Sequence, residues 1–245
     1  MAQAASVGGE AWRTEPLYRA LLDAPVAADG CVAVGRIAQS LDGRIATSSG
    51  ASFWIGGAAD RLHTHRLRAL SDAVLVGAGT VATDDPQLTT RLCAGRSPVR
   101  VVIDSERRLT GHHRVFIDAG PPTLLLCGVA GPARLGQAEV IRLPRAPRGG
   151  LEPLAVLAAL SARGLSRVLV EGGGITLSRF LAAGALDRLH VTLAPLLLGA
   201  GVPAFTLPCP DQPADGMRLA WTQHRLGEDL LFDIMLGRAR PPACA

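Results

Sequence analysis

Two short apolar runs that each open into glycines constrain the fold most. Ala73–Gly77 (AVLVG) leads into Gly77-Ala78-Gly79-Thr80, and Arg167–Glu171 (RVLVE) leads into Gly172-Gly173-Gly174. A short apolar run without polar alternation has both faces covered, the habit of a strand inside a parallel sheet. Parallel neighbours need a crossover, usually a helix, so such runs predict helices between them. Strand and helix patterns do alternate from Cys31 to Ala183, which argues an α/β fold with a mostly parallel sheet flanked by helices. From Arg188 the pattern changes. RLHVTLAP, Arg218–Arg225 and Leu230–Leu236 follow with no helix between them, and read as antiparallel C-terminal strands closing the sheet's edge.

Cys31–Ala38 (CVAVGRIA) is the first buried strand and runs into the turn Ser40-Leu41-Asp42-Gly43. Gly57 to Leu70 carries a helix pattern with Leu62, His65 or Arg66, and Ala69 on one side, leaving His63 and Thr64 pointing elsewhere. Val99–Asp104, Thr123–Cys127 and Glu139–Leu143 are further strands, the last at an edge. Leu154–Arg163 is a helix stopped by Gly164, and Ile175–Ala183 is another with Leu177, Phe180 and Leu181 inward. Trp12 to Leu22 fits one amphipathic helix. The expected organisation is an extension at 1–28, a single domain at 29–237 and a frayed tail at 238–245. At 245 residues and 48% hydrophobic content the chain has ample length for a core.

Several function classes are disfavoured. The longest apolar runs, Leu193–Leu198 and Thr123–Cys127, are too short to cross a bilayer. Residues 1–30 lack the basic-then-apolar pattern of a secretory signal, so a cytoplasmic location is expected. Cys31, Cys93, Cys127, Cys209 and Cys244 are scattered without a CxxC, which suits reduced thiols rather than disulfides or structural zinc. His112-His113 has no third ligand at useful spacing, and no metal is expected. All 25 basic residues are arginine. That excludes a P-loop lysine, a Schiff-base lysine and a Tyr-x-x-x-Lys pair. A net charge of +4 with nine aromatics and no basic run argues against nucleic acid.

The strand–glycine–helix at Val168 to Leu181 is the best phosphate site on physical grounds. Glycines let the backbone approach an anion, and a helix N-terminus offers unpaired N–H groups. A tight structural turn would use the same residues. Glu171 sits at a strand's carboxyl end, where open α/β sheets bind ligands, although a solvated carboxylate would sit there too. Gly77 to Thr80 repeats the logic, followed by Asp84-Asp85-Pro86, which a plain turn also explains. Arg68 and Arg91 suit phosphate binding if they are not simply solvated. In Asp104-Ser105-Glu106-Arg107-Arg108, the acidic residue would favour NAD through its ribose hydroxyls. Ser105 with Arg107 or Arg108 would instead suit a 2′-phosphate.

The order of motifs carries more than any one of them. Ser40-Leu41-Asp42-Gly43-Arg44, then Ser52-Phe53-Trp54-Ile55, His65-Arg66-Leu67-Arg68-Ala69, Thr80-Val81, Asp84-Asp85-Pro86-Gln87-Leu88-Thr89-Thr90-Arg91 and finally Val170-Glu171-Gly172-Gly173-Gly174 occur in sequence. In this order they resemble the reductase domain of the riboflavin-biosynthesis deaminase–reductases, over about Ala38 to Gly201. The His-Ala-Glu and Pro-Cys-x-x-Cys signatures of the deaminase half do not occur, so the resemblance is to the reductase half alone.

The resemblance implies a dihydrofolate-reductase-like fold and NADPH as cofactor. It implies cofactor contacts at Ala38, Trp54, Gly79, Thr80, Asp84 and Ser105, and along Gly172, Gly173, Gly174, Ile175 and Thr176 toward Arg179. Implied substrate contacts are Ser52, Arg68, Leu88, Arg91 and Glu171, with Arg68 and Arg91 on the ribose-phosphate end. Glu171 and Asp84 are the catalytic candidates. Glu171 would orient or protonate the substrate, and Asp84 with Thr80 would orient the nicotinamide half. The implied reaction is NADPH-dependent reduction of the ribosyl group of 5-amino-6-(5-phosphoribosylamino)uracil to the ribityl form, without metal or covalent nucleophile. The apolar C-terminal strands and the family's habit point to a homodimer. Two alternatives stay open: an NADPH reductase of another heterocycle (a pterin or a specialised-metabolism pyrimidine), or a non-catalytic nucleotide-binding partner of a separate deaminase.

Overall fold

The computed structural model describes residues 10–237 except 25, 28, 54 and 148. The expectations for Trp54, for the first nine residues and for the 238–245 tail lie outside the described residues. A 3-10 turn at Glu10–Thr14 leads into helix α1 (Pro16–Leu22). The single helix expected over Trp12–Leu22 is therefore broken, because Pro16 can start a helix but cannot continue one. Strands β1 (Val32–Ser40) and β2 (Arg44–Thr47) come next, then helix α2 (Ala58–Leu70). After them run β3 (Ala73–Gly77), α3 (Ala78–Asp84), β4 (Val99–Ile103), α4 (Arg114–Ile117) and β5 (Thr123–Cys127). The hairpin β6 (Arg134–Leu135) and β7 (Ala138–Arg142) precedes α5 (Pro153–Ser161), β8 (Arg167–Glu171) and α6 (Gly174–Ala182). The chain finishes with β9 (Arg188–Ala194), β10 (Gly201–Pro203), β11 (Ala220–Leu226) and β12 (Asp229–Met235).

Ten strands form one sheet in the order β11-β12-β9-β1-β8-β3-β4-β5-β7-β6, while β10 pairs only with β2. From β9 through β7 in that order all neighbours are parallel, and β12, β11 and β6 are antiparallel. This is the mostly parallel sheet with antiparallel C-terminal strands that the sequence predicts. Two details differ. β9, read as part of the antiparallel closure, runs parallel to β1, and the far edge is the two-residue β6 rather than the strand at 138–142. The β2–β10 ladder was not anticipated, since neither piece is long enough to show a period.

Chain order and sheet order part company at β8. From β1 the chain passes to β3 and leaves a gap, builds outward to β7, and only then returns with β8 to fill the slot between β1 and β3. Both faces of this central strand are covered. Val168 and Val170 join a core with Leu157, Leu160, Leu177 and Phe180 of α5 and α6. Leu169 points the other way, into a core with Leu67, Val81 and Phe116. That two-sided cover is why β3 and most of β8 are apolar throughout.

Helix α2 corrects the sequence reading. Its buried residues are Asp60, His63, Thr64, His65, Leu67, Arg68 and Leu70, so His63 and Thr64 face inward and Leu62 does not. The reason is a polar layer beneath the helix. The Tyr18 hydroxyl lies 2.9 Å from His63 Nδ1, and His63 Nε2 lies 3.0 Å from His190 Nδ1. His190 Nε2 in turn faces Asp233 Oδ1 at 3.3 Å. One proton arrangement serves the whole chain: tyrosine donates to His63, His63 to His190, and His190 toward the carboxylate. Burial holds His63 well below 6.5, and the neighbouring His190 and Arg36 push it the same way. Burial also lowers His190, against the opposing pull of Asp233.

Both imidazoles are thus neutral in the fold, whereas in the unfolded chain they gain protons near pH 6.5. The stability they contribute is full above that value and is lost as pH falls below it. Urea unfolding followed by circular dichroism is expected to give a lower midpoint at about pH 5 than at about pH 7.5. His63→Gln should flatten that dependence.

Candidate active site

The carboxyl ends of β1, β3, β4 and β8 open into one cleft of about 890 Å³, bordered at those ends by Ala38, Gly77, Ile103 and Glu171. Parallel strands place their connections here, and β8 enters between β1 and β3, where the order of the sheet switches.

One wall is built by the glycines after β8. Gly172 and Gly173 have φ of 76° and 64°, a left-handed conformation that side chains resist. A Cβ on Gly174 would come within 2.7 Å of the carbonyls of Pro203 and Ala204. No side chain caps α6, so the N–H groups of its first turn remain for a ligand, and Gly172 through Thr176 all line the cleft. The β3–α3 tip faces this wall. A Cβ on Gly77 would lie 2.3 Å from the Thr176 hydroxyl, and one on Gly173 would lie 3.0 Å from the Thr80 hydroxyl. Gly79 instead borders open space in the cleft. The two glycine tips share one groove.

At the far end of the groove, after β4, Ser105 and Arg108 line the cleft. Arg107 does not. Its backbone is left-handed (φ 54°) and its guanidinium donates to the Pro132 carbonyl. That turn leaves Arg108, and not Arg107, on the cleft. Buried Asp104 accepts the Leu109 N–H and so braces the turn.

The opposite end is charged. Arg68 Nε donates to Glu171 Oε1 at 2.9 Å, Nη2 donates to Oε2, and Nη1 donates to the Thr89 carbonyl at 2.9 Å. The pair is nearly sealed, with side-chain exposures of 11% and 10%. Burial alone would raise the Glu171 pKa, but the charge and hydrogen bonds of Arg68, with Arg36 on the neighbouring strand, hold it below its usual value. Glu171 is thus an ionised acceptor in the unliganded site, held as a carboxylate by Arg68. Of the two arginines expected at the ribose-phosphate end, Arg68 is ion-paired and Arg91 is exposed. Arg91 donates from Nη1 to the Thr89 hydroxyl at 2.6 Å and from its backbone N–H to His65 Nδ1 at 2.9 Å. Leu88, 1% exposed with φ of 55°, anchors this segment in a conformation uncommon for a branched residue.

Between the two ends, Ser52 donates to Asp84 Oδ1 at 3.0 Å, tying the loop before α2 to the end of α3. Ser52, Asp84, Thr80 and Ala38 all border the cleft, as do Arg68, Leu88 and Arg91. Apart from Trp54 and Arg107, every candidate from the sequence thus lines one cavity. Arg36, Asp60, Thr64 and His65 line it as well and were missed. Arg36 pairs with Asp60, which also accepts from the Thr192 hydroxyl at 2.7 Å. The signal was present as a polar stripe on α2: Asp60, Thr64, His65 and Arg68 stand on one face at helical spacing, where only an apolar stripe was sought. The SLDGR motif has a different use. Asp42 accepts from the Ser40 hydroxyl and from the N–H groups of Leu198 and Gly199, which lowers its pKa to about 2 and clamps the turn after β1 to the loop after β9.

Residues 34–231 match the family model described as the RibD C-terminal domain. The chain belongs to that family. It is 37% identical over 207 residues to the 2,5-diamino-6-ribosylamino-4(3H)-pyrimidinone 5′-phosphate reductase of Methanothermobacter thermautotrophicus, covering 80% of this chain and 94% of that protein. It is 36% identical over 205 residues to riboflavin biosynthesis protein RibD of Mycobacterium tuberculosis, covering 82% of this chain but only 53% of that protein. Among solved structures, a deaminase/5-amino-6-(5-phosphoribosylamino)uracil reductase of Thermotoga maritima superposes with a TM-score of 0.74 at 29% identity, covering 84% and 56% of the two chains. The Saccharomyces cerevisiae riboflavin biosynthesis reductase Rib7 shares the fold, with a TM-score of 0.69 at 21% identity over 86% and 92%.

In this RibD-type cleft the Arg68–Glu171 pair also has a structural consequence, because both groups are nearly sealed from solvent. Arg68→Met strands a buried carboxylate and is expected to cost about 3–5 kcal/mol, while Arg68→Met with Glu171→Leu recovers most of it. Urea unfolding of the single and double variants measures both.

Proposed function

We propose that this chain reduces the ribosyl group of a phosphorylated ribosylaminopyrimidine to the ribityl form, with NADPH as the reductant. The observation that carries this reading is the single groove between two facing glycine tips, with an uncapped helix N-terminus along its wall and a guanidinium at its mouth. The family relationship and the names of the relatives support it.

The residues fit a dinucleotide. Gly172, Gly173 and the first turn of α6 would hold the pyrophosphate, and Ile175, Thr176 and the exposed Arg179 extend that wall. Thr80, Gly79 and Asp84 would border the nicotinamide, near Ala38. Ser105 and Arg108 would receive a 2′-phosphate. NADPH when bound supplies the hydride, and the protein's part is to stack the two reactants and exclude water. Arg91 holds the sugar phosphate, and Ser52 sits where substrate and cofactor meet, its hydroxyl fixed by Asp84. Glu171, kept ionised, accepts from a sugar hydroxyl with the lone pairs that Arg68 leaves open. Leu88 packs beneath the sugar.

Two pyrimidines compete as substrate. The expected one is 5-amino-6-(5-phosphoribosylamino)uracil. The relative covered over 94% of its length is named for the 2,5-diamino-pyrimidinone, which keeps an amino group where the uracil has an oxygen. Steady NADPH oxidation by the purified protein with each compound decides between them. Turnover only with another heterocycle, or nucleotide binding without turnover, would reject both. A homodimer is proposed through the sheet edge at β11, where Trp221 is 54% exposed, with Met235 of the adjoining β12 58% exposed. Sedimentation equilibrium tests it. No helix among the described residues is long and apolar enough to cross a membrane.

Arg91→Ala is expected to raise KM for the phosphorylated substrate by about 10- to 100-fold, the loss of a charge-assisted hydrogen bond. Its KM for NADPH should stay within about twofold. Arg108→Ala should lower the preference for NADPH over NADH by about tenfold or more, read as the ratio of kcat/KM values. A wild-type preference for NADH would overturn the 2′-phosphate assignment.

A further inference from the structure

We propose that His65 is a second recognition group, beside Arg91, for the anionic end of the substrate: its Nε2–H donates to the sugar phosphate, while its Nδ1 holds the Arg91 backbone in place. The proposal rests on the proposed function, in which the substrate carries a phosphate at the Arg91 end.

The tautomer follows from one contact. His65 Nδ1 lies 2.9 Å from the Arg91 backbone nitrogen, whose N–H can only donate, so Nδ1 must be the bare acceptor. A neutral imidazole then carries its proton on Nε2. The ring is neutral, since burial first, and then the charges of Arg68 and Arg91, lower its pKa to about 4. It is 6% exposed and borders the cleft, and its Nε2 has no hydrogen-bond partner among the described residues. A purely structural role would need only the acceptor. The ring presents a donor as well, at the place where donors are wanted.

Position and charge name the ligand. His65 and Arg68 are three residues apart on α2 and share its inner face, and Arg91 is tied directly to His65. With Arg68 engaged by Glu171 and Thr89, the donors left on this side are the Arg91 guanidinium and the His65 ring. Glu171 balances Arg68, which leaves the exposed Arg91 guanidinium as the positive charge at this end with no ion-pair partner among the described residues. A neutral sugar hydroxyl does not answer that charge. A phosphomonoester does, and its three acceptor oxygens exceed what Arg91 alone can fill. A neutral N–H beside two guanidinium groups adds a hydrogen bond without adding repulsion.

The test uses two variants and one wild-type measurement. His65→Asn keeps an acceptor near Nδ1 and loses the distal donor, while His65→Gln keeps the distal donor and loses the acceptor. For wild type, both variants and Arg91→Ala, KM is measured for the phosphorylated substrate and its dephosphorylated counterpart, with inhibition constants for ribose 5-phosphate and ribose. His65→Asn is expected to raise the two constants for phosphorylated ligands by about tenfold and to reduce the selectivity over unphosphorylated ligands by the same factor, with His65→Gln between it and wild type. An equal rise for phosphorylated and unphosphorylated ligands, or no rise, would overturn the proposal. If wild type favours ribose 5-phosphate over ribose and Arg91→Ala abolishes this while His65→Asn does not, His65 is excluded and the phosphate reading stands. If wild type shows no such preference, the phosphate reading itself fails. Should a variant not fold, the ¹⁵N spectrum of the wild-type imidazoles decides. Ribose 5-phosphate, and not ribose, should shift the assigned His65 Nε2 resonance, and an unmoved resonance refutes the contact.

Discussion

The ion pair between Arg68 and Glu171 joins two parts of the chain 103 residues apart, and the cleft is organised around it. Glu171 ends β8, the strand that enters the sheet after its neighbours β1 and β3 in chain order. Arg68 stands in the last turn of α2, which crosses from β1 to β3 over that slot. Taking both charges out of water is costly, and only bidentate geometry with a third hydrogen bond to Thr89 offsets it. What the pair secures is placement. With α2 fixed against the end of β8, the Thr89–Arg91 segment is held to one side, and the mouth of the groove has a defined charge.

The same helix rests on further polar contacts rather than on an apolar stripe. Arg36, Asp60 and Thr192 form one cluster, and Tyr18, His63, His190 and Asp233 form another. Each joins α2 to strands far away in the sequence. Groups of this kind are unfavourable when buried unless their partners are in position, so they tolerate few alternative dockings of the helix. The opposite face of the sheet, under α5 and α6, is conventional and apolar. The molecule thus has a packing face and a chemical face. The polar side chains of the second are already held in fixed orientations.

The parts of the site that sequence revealed are those whose chemistry is local. The glycines at 172 to 174 and the tip at 77 to 80 could be read because a strand, glycines and a helix in succession have a geometric meaning of their own. Asp84-Asp85-Pro86 could be read as a turn, and Asp85 does adopt a left-handed φ of 39° there. Roles that depend on partners were read less well. Ser40-Leu41-Asp42-Gly43-Arg44 announced itself as a motif, yet its aspartate clamps two loops. Arg107 and Arg108 were indistinguishable until the turn that bears them was seen. His63 and Thr64 were assigned to the wrong side of their helix, because period alone says which residues share a face and not which face is buried.

From the linear chain alone came the alternation of strands and helices, the two glycine tips, the all-arginine basic set and the family to which they belong. These are properties of neighbouring residues and of their order, so they survive without a fold. Only the tertiary structure decided that Arg68 is neutralised by Glu171 while Arg91 is exposed, that His65 serves Arg91, and that His63 of α2 meets His190 of β9. Those outcomes depend on which side chains meet across the slot that β8 fills, and no local pattern records a meeting between residues about a hundred positions apart.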